Sequence, residues 1–331
     1  MKKKFDREIF RRWPALPAVI MCIVFFFINV FCTNGFLQKH IILSFLSSNI
    51  PLICVSIGCA CVIISGGMDI SLGSIVSLTN VILVKLNAAG LSLTAQIIIC
   101  LTAALLMGLI NGVVIGWLRV TPLLATYATS TVYAGIALWI LPTPAGMVAK
   151  VFCKWYNSWI FGVLPAPVLL ALLAFSLWLL IMQTPMKYWV YSTGKHGFKA
   201  YVSGVPVAKT QAFTYVFAGF VAGLASLAIS GSTQGGDAAV GISLSMNAIA
   251  ACVIGGIGSV IGSVFGALFL SLVMFVVSAA HIPSLYQSLV KGLILLVGVL
   301  FSIIIANRLQ KEKRVLVETP THHEEGGEQN V

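Results

Sequence analysis

Acidic residues are almost missing from this chain. Nine of its 331 residues are Asp or Glu, and between Ile9 and Lys311 only Asp69 and Asp237 occur. A soluble domain carries about 25% charged residues, and this chain has 9%, too few to clothe a water-exposed surface. A Walker A segment, a G-x-S-x-G elbow, an H-E-x-x-H pair and a kinase-like set are all absent. The chain therefore encodes neither nucleotide hydrolysis nor a recognisable catalytic constellation, and an enzyme is not expected. The eight cysteines include no C-x-x-C pair, which argues against a disulfide framework and against zinc. Six of them (Cys22, Cys54, Cys59, Cys61, Cys100 and Cys252) lie inside apolar runs and read as small buried hydrophobes. His322 and His323 have no companions at ligand spacing, so no metal or other cofactor is expected.

What the chain has instead is apolar sequence: 59% of it is hydrophobic, and the mean hydropathy is +1.02. A crossing needs about 20 apolar residues, and ten runs qualify, at 14–34, 47–65, 70–86, 93–118, 122–141, 164–183, 210–230, 245–255, 260–280 and 285–306. The first follows a basic leader but lacks a small-residue cleavage site, so it reads as a span rather than a signal peptide. The eighth is short. The reading is an all-α, polytopic transmembrane bundle, with membrane lipid as its surroundings.

The net charge of +11 does not point to nucleic acid, because the basic residues flank apolar runs instead of mixing with aromatics on one domain. With ten crossings, fifteen Lys and Arg fall on the side of both tails and five on the other, namely Lys39, Lys85, Lys150, Lys154 and Lys291. By the positive-inside rule both tails are cytoplasmic, N-in and C-in. The chain divides into a basic tail at 1–13, a membrane domain at 14–307 with a cytoplasmic loop at 184–209, and a polar tail at 308–331 that reads as disordered. The outer loop after 141 holds Trp155, Tyr156 and Trp159 and no acid, and these aromatics read as interfacial anchors.

Two segments carry chemistry. The first runs Ile64-Ser65-Gly66-Gly67-Met68-Asp69-Ile70-Ser71-Leu72-Gly73-Ser74, a glycine-rich, polar break between two apolar runs. Its backbone groups cannot be satisfied by lipid, so the segment must face protein or water. Asp69 so near the membrane marks a functional position. Asp69 or Ser71 can equally cap the following helix, and the two roles are compatible. The second segment, Gly194 to Val205, sits in the long inside loop and reads as a brief helix at the membrane surface.

At the first segment the chain resembles a known family, the permeases of ribose, galactose, xylose and autoinducer-2 ABC importers, whose signature is I-S-G-G-x-D-x-S-x-G-S. The likeness extends over nearly the whole membrane domain. Leu109-Ile110-Asn111-Gly112 resembles L-x-N-G, Pro122-Leu123-Leu124-Ala125-Thr126 resembles P-F-I-x-T, and the run from Ala248 to Gly256 is close to A-I-A-A-V-V-I-G-G. Gln287 to Gly292 looks like the Q-x-V-x-K-G that opens the last helix.

The resemblance implies a permease subunit, homo- or heterodimeric, that passes a monosaccharide or similar polyhydroxylated solute. Its implied partners are a cytoplasmic ATPase with two nucleotide-binding domains, which binds the ATP, and an extracytoplasmic solute-binding protein. The implied path residues are Gly66, Gly67, Asp69, Ser71, Gly73, Asn247, Gly255 and Gly256. The segment from Gly194 to Val205 is similar to G-G-N-x-E-A-A-x-x-S-G-I, the coupling helix that docks on the ATPase, with Gly194, His196, Lys199, Ala200 and Gly204 as its key positions. His196, Phe198 and Lys199 depart from that pattern, and Asn247 stands where the family commonly has Asp. The spacing Gly66-Gly67-x5-Gly73-Ser74 recurs as Gly255-Gly256-x5-Gly262-Ser263 and suggests an internal repeat. The alternative from another class is an ion-coupled secondary transporter, for which only Asp69 offers a titrating carboxylate near midmembrane.

Overall fold

The computed structural model describes residues 15–33 and 35–280 and a scatter of positions between 283 and 300. The tails at 1–13 and 308–331, His281 and Lys291 lie outside the described residues, and the tenth run, 285–306, is described only in part. Eleven helices have defined bounds: α1 Leu16–Cys32, α2 Lys39–Ile64, α3 Leu72–Ala88, α4 Leu93–Gly116, α5 Pro122–Ile140, α6 Lys150–Tyr156, α7 Pro167–Met182, α8 Met186–Val202, α9 Val207–Thr233, α10 Ile242–Ile254 and α11 Val260–Ala279. Between α6 and α7 the antiparallel strands β1 (Trp159–Ile160) and β2 (Leu164–Pro165) form a small hairpin.

Helix starts follow local chemistry. Pro122 opens α5 and Pro167 opens α7, where a missing N–H costs nothing and the fixed φ suits the first turn. Ser92 and Ser259 cap α4 and α11 through their side chains.

Among the described residues five helices (α2, α4, α5, α9 and α11) are long and apolar enough to cross a membrane, which makes this a polytopic helical membrane protein. The helices α7 and α8 pass that test only as a pair, bent by 87°. The helices α1, α3 and α10 are shorter, and at 1.5 Å per residue the 17 residues of α3 and 13 of α10 reach about 25 Å and about 20 Å, less than the roughly 30 Å of hydrocarbon.

At the centre, α2 and α9 are buried along most of their length, whereas α5 is mostly exposed. Backbones come close where side chains are absent. Gly108, Gly112 and Gly116, one turn apart on α4, press against α9, where an added Cβ would lie 3.0 Å from Gly219 Cα, 2.8 Å from Ala212 Cα and against the Ala208 carbonyl. Without a hydrophobic force between helices in lipid, such close small-residue contacts supply the packing.

Candidate functional site

The break after α2 is built as a helix stop. Gly66 holds φ +85°, and the N–H groups of Gly66 and Gly67 donate to the carbonyls of Ile63 and Val62, each at 3.0 Å. This is a Schellman ending, and its left-handed residue carries no Cβ penalty only as glycine. The Gly67 position lies under the Tyr215 hydroxyl, which donates to Met68 O at 3.2 Å.

Beyond the stop, the polar side chains form one buried chain of hydrogen bonds. Asn111 Nδ2 on α4 donates to Ser71 Oγ at 2.7 Å, and Ser71 donates both its Oγ–H (2.6 Å) and its backbone N–H (2.8 Å) to Asp69 Oδ1. Asp69 is 1% exposed and Asn111 and Ser71 are wholly buried. Asp69 Oδ2 and Asn111 Oδ1 meet no hydrogen-bond donor among the described residues. A carboxylate just before the first turn of α3 is also favoured by the helix dipole. Ile70 N donates to Thr126 Oγ1 on α5 (3.3 Å), and Ser65 shares a 3.1 Å hydrogen bond with Thr214 on α9.

The start of α3 is capped by another helix. Gly73 N donates to Ser245 Oγ on α10 at 2.7 Å, and Gly241 N, at the start of α10, donates to Ser77 Oγ on α3 at 2.9 Å. Ser245 Oγ–H in turn donates a hydrogen bond to Ile70 O (2.7 Å). A Cβ at Gly73 would strike the Gly241 carbonyl, and one at Gly241 the Gly73 carbonyl. The two short helices thus meet N-terminus to N-terminus, each satisfying an orphan N–H of the other. Asn80 extends the contact by donating to Ser230 Oγ (2.7 Å) and accepting from Asp237 N (2.9 Å), which ties the segment after α9 along α3.

Of the path residues expected from sequence, Gly67, Asp69, Ser71, Gly73 and Gly255 are buried, Gly66 is exposed, and Asn247 and Gly256 are half-buried. The structure brings Gly66, Gly67, Asp69, Ser71 and Gly73 together at the junction. Gly255 and Gly256 lie at the far end of α10, where Gly255 packs on Gly262. Sequence reasoning missed Ser77, Gly241, Ser245 and Tyr215. A signal for three of these was present, since Gly73-x3-Ser77 and Gly241-x3-Ser245 share one spacing.

In the 184–209 segment, α8 is interrupted at His196, whose φ of −155° and ψ of 82° are not helical. Before that kink Gly194 packs on the end of α2, where a Cβ would fall on the Ile64 carbonyl oxygen, 2.9 Å from its carbon and 3.1 Å from Gly66 N. Past the kink Ala200 is buried, while Lys199 and the large side chains of Phe198, Tyr201 and Val202 are exposed. Gly204 has φ +82° with open space around it. Its N–H and that of Val205 donate to Tyr201 O and Ala200 O, each at 3.0 Å, a second Schellman ending.

Residues 41–299 match the family described as branched-chain amino acid transport system / permease component. The chain belongs to this family. It is 28% identical to the ribose import permease protein RbsC of Bacillus subtilis over 305 residues, covering 89% of this chain and 94% of that protein. Against the autoinducer 2 import system permease protein LsrC of Escherichia coli O9:H4 it is 30% identical over 299 residues, 86% of each chain. The galactofuranose transporter permease protein YtfT of Escherichia coli K12 is 27% identical over 256 residues, 74% of this chain and 75% of that one. No solved structure matches the chain.

Proposed function

We propose that the chain is the membrane-spanning permease subunit of an ATP-driven importer, carrying a monosaccharide or similarly small polyhydroxylated solute across the bacterial cytoplasmic membrane. The observation that carries the reading is the family match over 41–299, shared with relatives named as permeases for ribose, galactofuranose and autoinducer 2. The subunit is not itself the enzyme; ATP is bound and hydrolysed by a separate ATPase with two nucleotide-binding domains. A second permease subunit and an extracytoplasmic solute-binding protein complete the assembly. Ten crossings with both tails cytoplasmic fit the distribution of Lys and Arg, with α3 and α10 as short helices that meet inside the bilayer.

In this reading the exposed Phe198, Lys199, Tyr201 and Val202 dock on the ATPase, and Gly194 passes its movement to the end of α2 and the Gly66–Gly73 break. The contact is backbone on backbone. It has no side chain to absorb a displacement, so a shift of α8 must move α2 or open a gap, and the polar junction follows as one body. Alternating access needs such a two-state element, biased by ATP-driven closure from one side and by the loaded binding protein from the other.

The test is reconstitution. Purified alone, the chain hydrolyses no ATP; with its ATPase and binding protein in liposomes it takes up a labelled sugar in an ATP-dependent manner. Sustained uptake driven by an ion gradient without the ATPase refutes the proposal.

A further inference from the structure

Asp237 stands at membrane depth, although hydropathy assigns it to the outer loop between the runs at 210–230 and 245–255. Its backbone N–H donates to Asn80 Oδ1 at 2.9 Å, and Asn80 Nδ2 donates to Gly235 O at 3.2 Å. Asn80 is the midpoint of α3, so Asp237 lies about 12 Å along that helix from either end. From there the chain runs antiparallel to α3: Gly241 N reaches Ser77, and Ser245 reaches Gly73 N and Ile70 O. A non-helical segment at this depth is tolerated only against protein or in a wet cavity. One side of it is fixed, by α3 and by the outer loop, whose Ala145 and Val148 N–H groups donate to Gly236 O (3.0 Å) and Gln234 O (3.1 Å).

The other side carries hydrogen-bonding groups with spare capacity. Asp237 is half-buried and Ser243 exposed, while Asn247, one turn after Ser243 on the face of α10 turned away from Ser245, is half-buried. Asp237 Oδ1 accepts the Ala239 N–H at 2.8 Å, and no Lys or Arg pairs with the carboxylate among the described residues. The side chains of Ser243 and Asn247 meet no hydrogen-bond partner among the described residues. Faces built for lipid look different. The helices α1 and α7 expose mostly Ile, Val, Leu and Phe, and their one exposed hydroxyl, Ser176, donates back to Leu173 O at 2.9 Å. Acyl chains offer an acid, a hydroxyl and an amide nothing, so the surface from Asp237 to Asn247 faces water or solute.

We propose that Asp237, Ser243 and Asn247 form a hydrogen-bonding wall of the solute path, with Asp237 accepting from two neighbouring hydroxyls of the polyhydroxylated solute. A carboxylate offers about four lone-pair sites, and hydroxyl bonds to it are short and charge-assisted. With one site given to Ala239, capacity remains for a vicinal diol, the group that distinguishes a sugar from a simple alcohol. Ser243 and Asn247, neutral and able both to donate and to accept, then pass the solute along α10 without holding it. Neither Asp237 nor Ser243 is among the path residues expected from sequence. The inference rests on the importer reading.

Two measurements test it. In a Cys32→Ser background, Ser243→Cys in isolated membranes should react with the anionic reagent sulfonatoethyl methanethiosulfonate about tenfold faster than Thr102→Cys on the exposed face of α4, because the reactive thiolate forms in water and not in hydrocarbon. Equally slow reaction of the two overturns the proposal. Asp237→Asn keeps Oδ1 for the Ala239 N–H, and with it the turn, but removes the charge and turns one acceptor into a donor. In liposomes with the ATPase and binding protein, this variant should lower ATP-driven uptake of the best carried of D-ribose, D-galactose and D-xylose by about tenfold, while loaded binding protein still stimulates hydrolysis. Joint loss of uptake and stimulated hydrolysis assigns Asp237 to assembly and overturns the proposal. A wild-type complex that carries none of the three sugars sinks the importer reading together with the wall, whereas normal wild-type uptake that Asp237→Asn leaves unchanged sinks the wall alone.

Discussion

Replacing Gly194 by alanine sets two physical effects of opposite sign against each other. In an ordinary solvated helix Gly→Ala is stabilising by about 1 kcal/mol, because alanine loses less backbone entropy. At Gly194, however, the new methyl falls on the Ile64 carbonyl oxygen, with the carbonyl carbon 2.9 Å and Gly66 N 3.1 Å away. Backbone cannot rotate aside as a side chain does. Ordinary carbon contacts begin near 3.5 Å, so α8 must withdraw from α2 by an ångström or more, and overpacking of this kind costs about 1–3 kcal/mol. The net expectation is a loss of about 1–2 kcal/mol in the α8–α2 contact.

The functional consequence is sharper if that contact transmits the stroke of the ATPase. The assay measures ATP hydrolysis by the reconstituted complex with and without loaded binding protein, alongside uptake. Gly194→Ala should reduce uptake by tenfold or more while basal hydrolysis persists. Gly197→Ala, three residues along in open space, should leave both unchanged. Wild-type uptake in Gly194→Ala, with a raised melting temperature, would show that Gly194 is an ordinary helical position and would refute the reasoning.

Three further outcomes are expected. Ser71→Ala removes the Oγ–H bond to Asp69 Oδ1 and the acceptor of Asn111 Nδ2 but keeps the backbone N–H bond to Oδ1, so the detergent-solubilised protein should lose about 1–3 kcal/mol of stability, read as a lower melting temperature. Gly112→Leu drives a branched side chain into Ala212 of α9 and should abolish accumulation in the membrane on immunoblots, whereas Val113→Leu on the exposed face of α4 should not. In a Cys32→Ser background native Cys153 should resist maleimide from outside, because it is 8% exposed and burial pushes its thiol up, away from the reactive thiolate. Rapid labelling of Cys153 in intact spheroplasts would show that α6 is not seated on the bundle.

Hydropathy made the apolar helices legible, because in lipid each must satisfy its own backbone and therefore announces itself as a continuous run. Starts and stops of α4, α5 and α11 fall within two residues of the expected runs at 93–118, 122–141 and 260–280. The expected run at 47–65 begins eight residues late, since Lys39 and His40 lowered the local hydropathy although they belong to the first turn of α2. The outer loop gave least away. Composition makes its three aromatics interfacial anchors, but Tyr156 is wholly buried with its hydroxyl on Ser47 O, and of the three only Trp155 is substantially exposed. Aromatic composition does not say which end of a ring finds a partner.

The junction shows where sequence echoes mislead and where they inform. Glycine pairs at Gly66-Gly67 and Gly255-Gly256 invite a comparison, yet the left-handed residue is the first of one pair and the second of the other, at φ +85° for Gly66 and +90° for Gly256. Their contacts differ too: Gly73 meets Gly241 of a distant helix, while Gly262 meets Gly255 across its own turn. The reciprocal relation lies instead between Gly73-x3-Ser77 and Gly241-x3-Ser245, where each glycine N–H is capped by the other helix's serine one turn along. A spacing of four has a physical reason there, because it places the serine hydroxyl on the face that the facing helix start approaches. Glycine is needed so that the backbones touch, and serine so that the orphan N–H is not left bare in a water-poor interior. Losing either serine alone should therefore strand one N–H on the opposite helix, and Ser77→Ala combined with Ser245→Ala should cost the sum of the two single changes only if the helices stay in contact. A double variant that costs clearly less than that sum, measured by thermal unfolding in detergent, would mean that the first loss already separates α3 from α10 and that the pair acts as one latch.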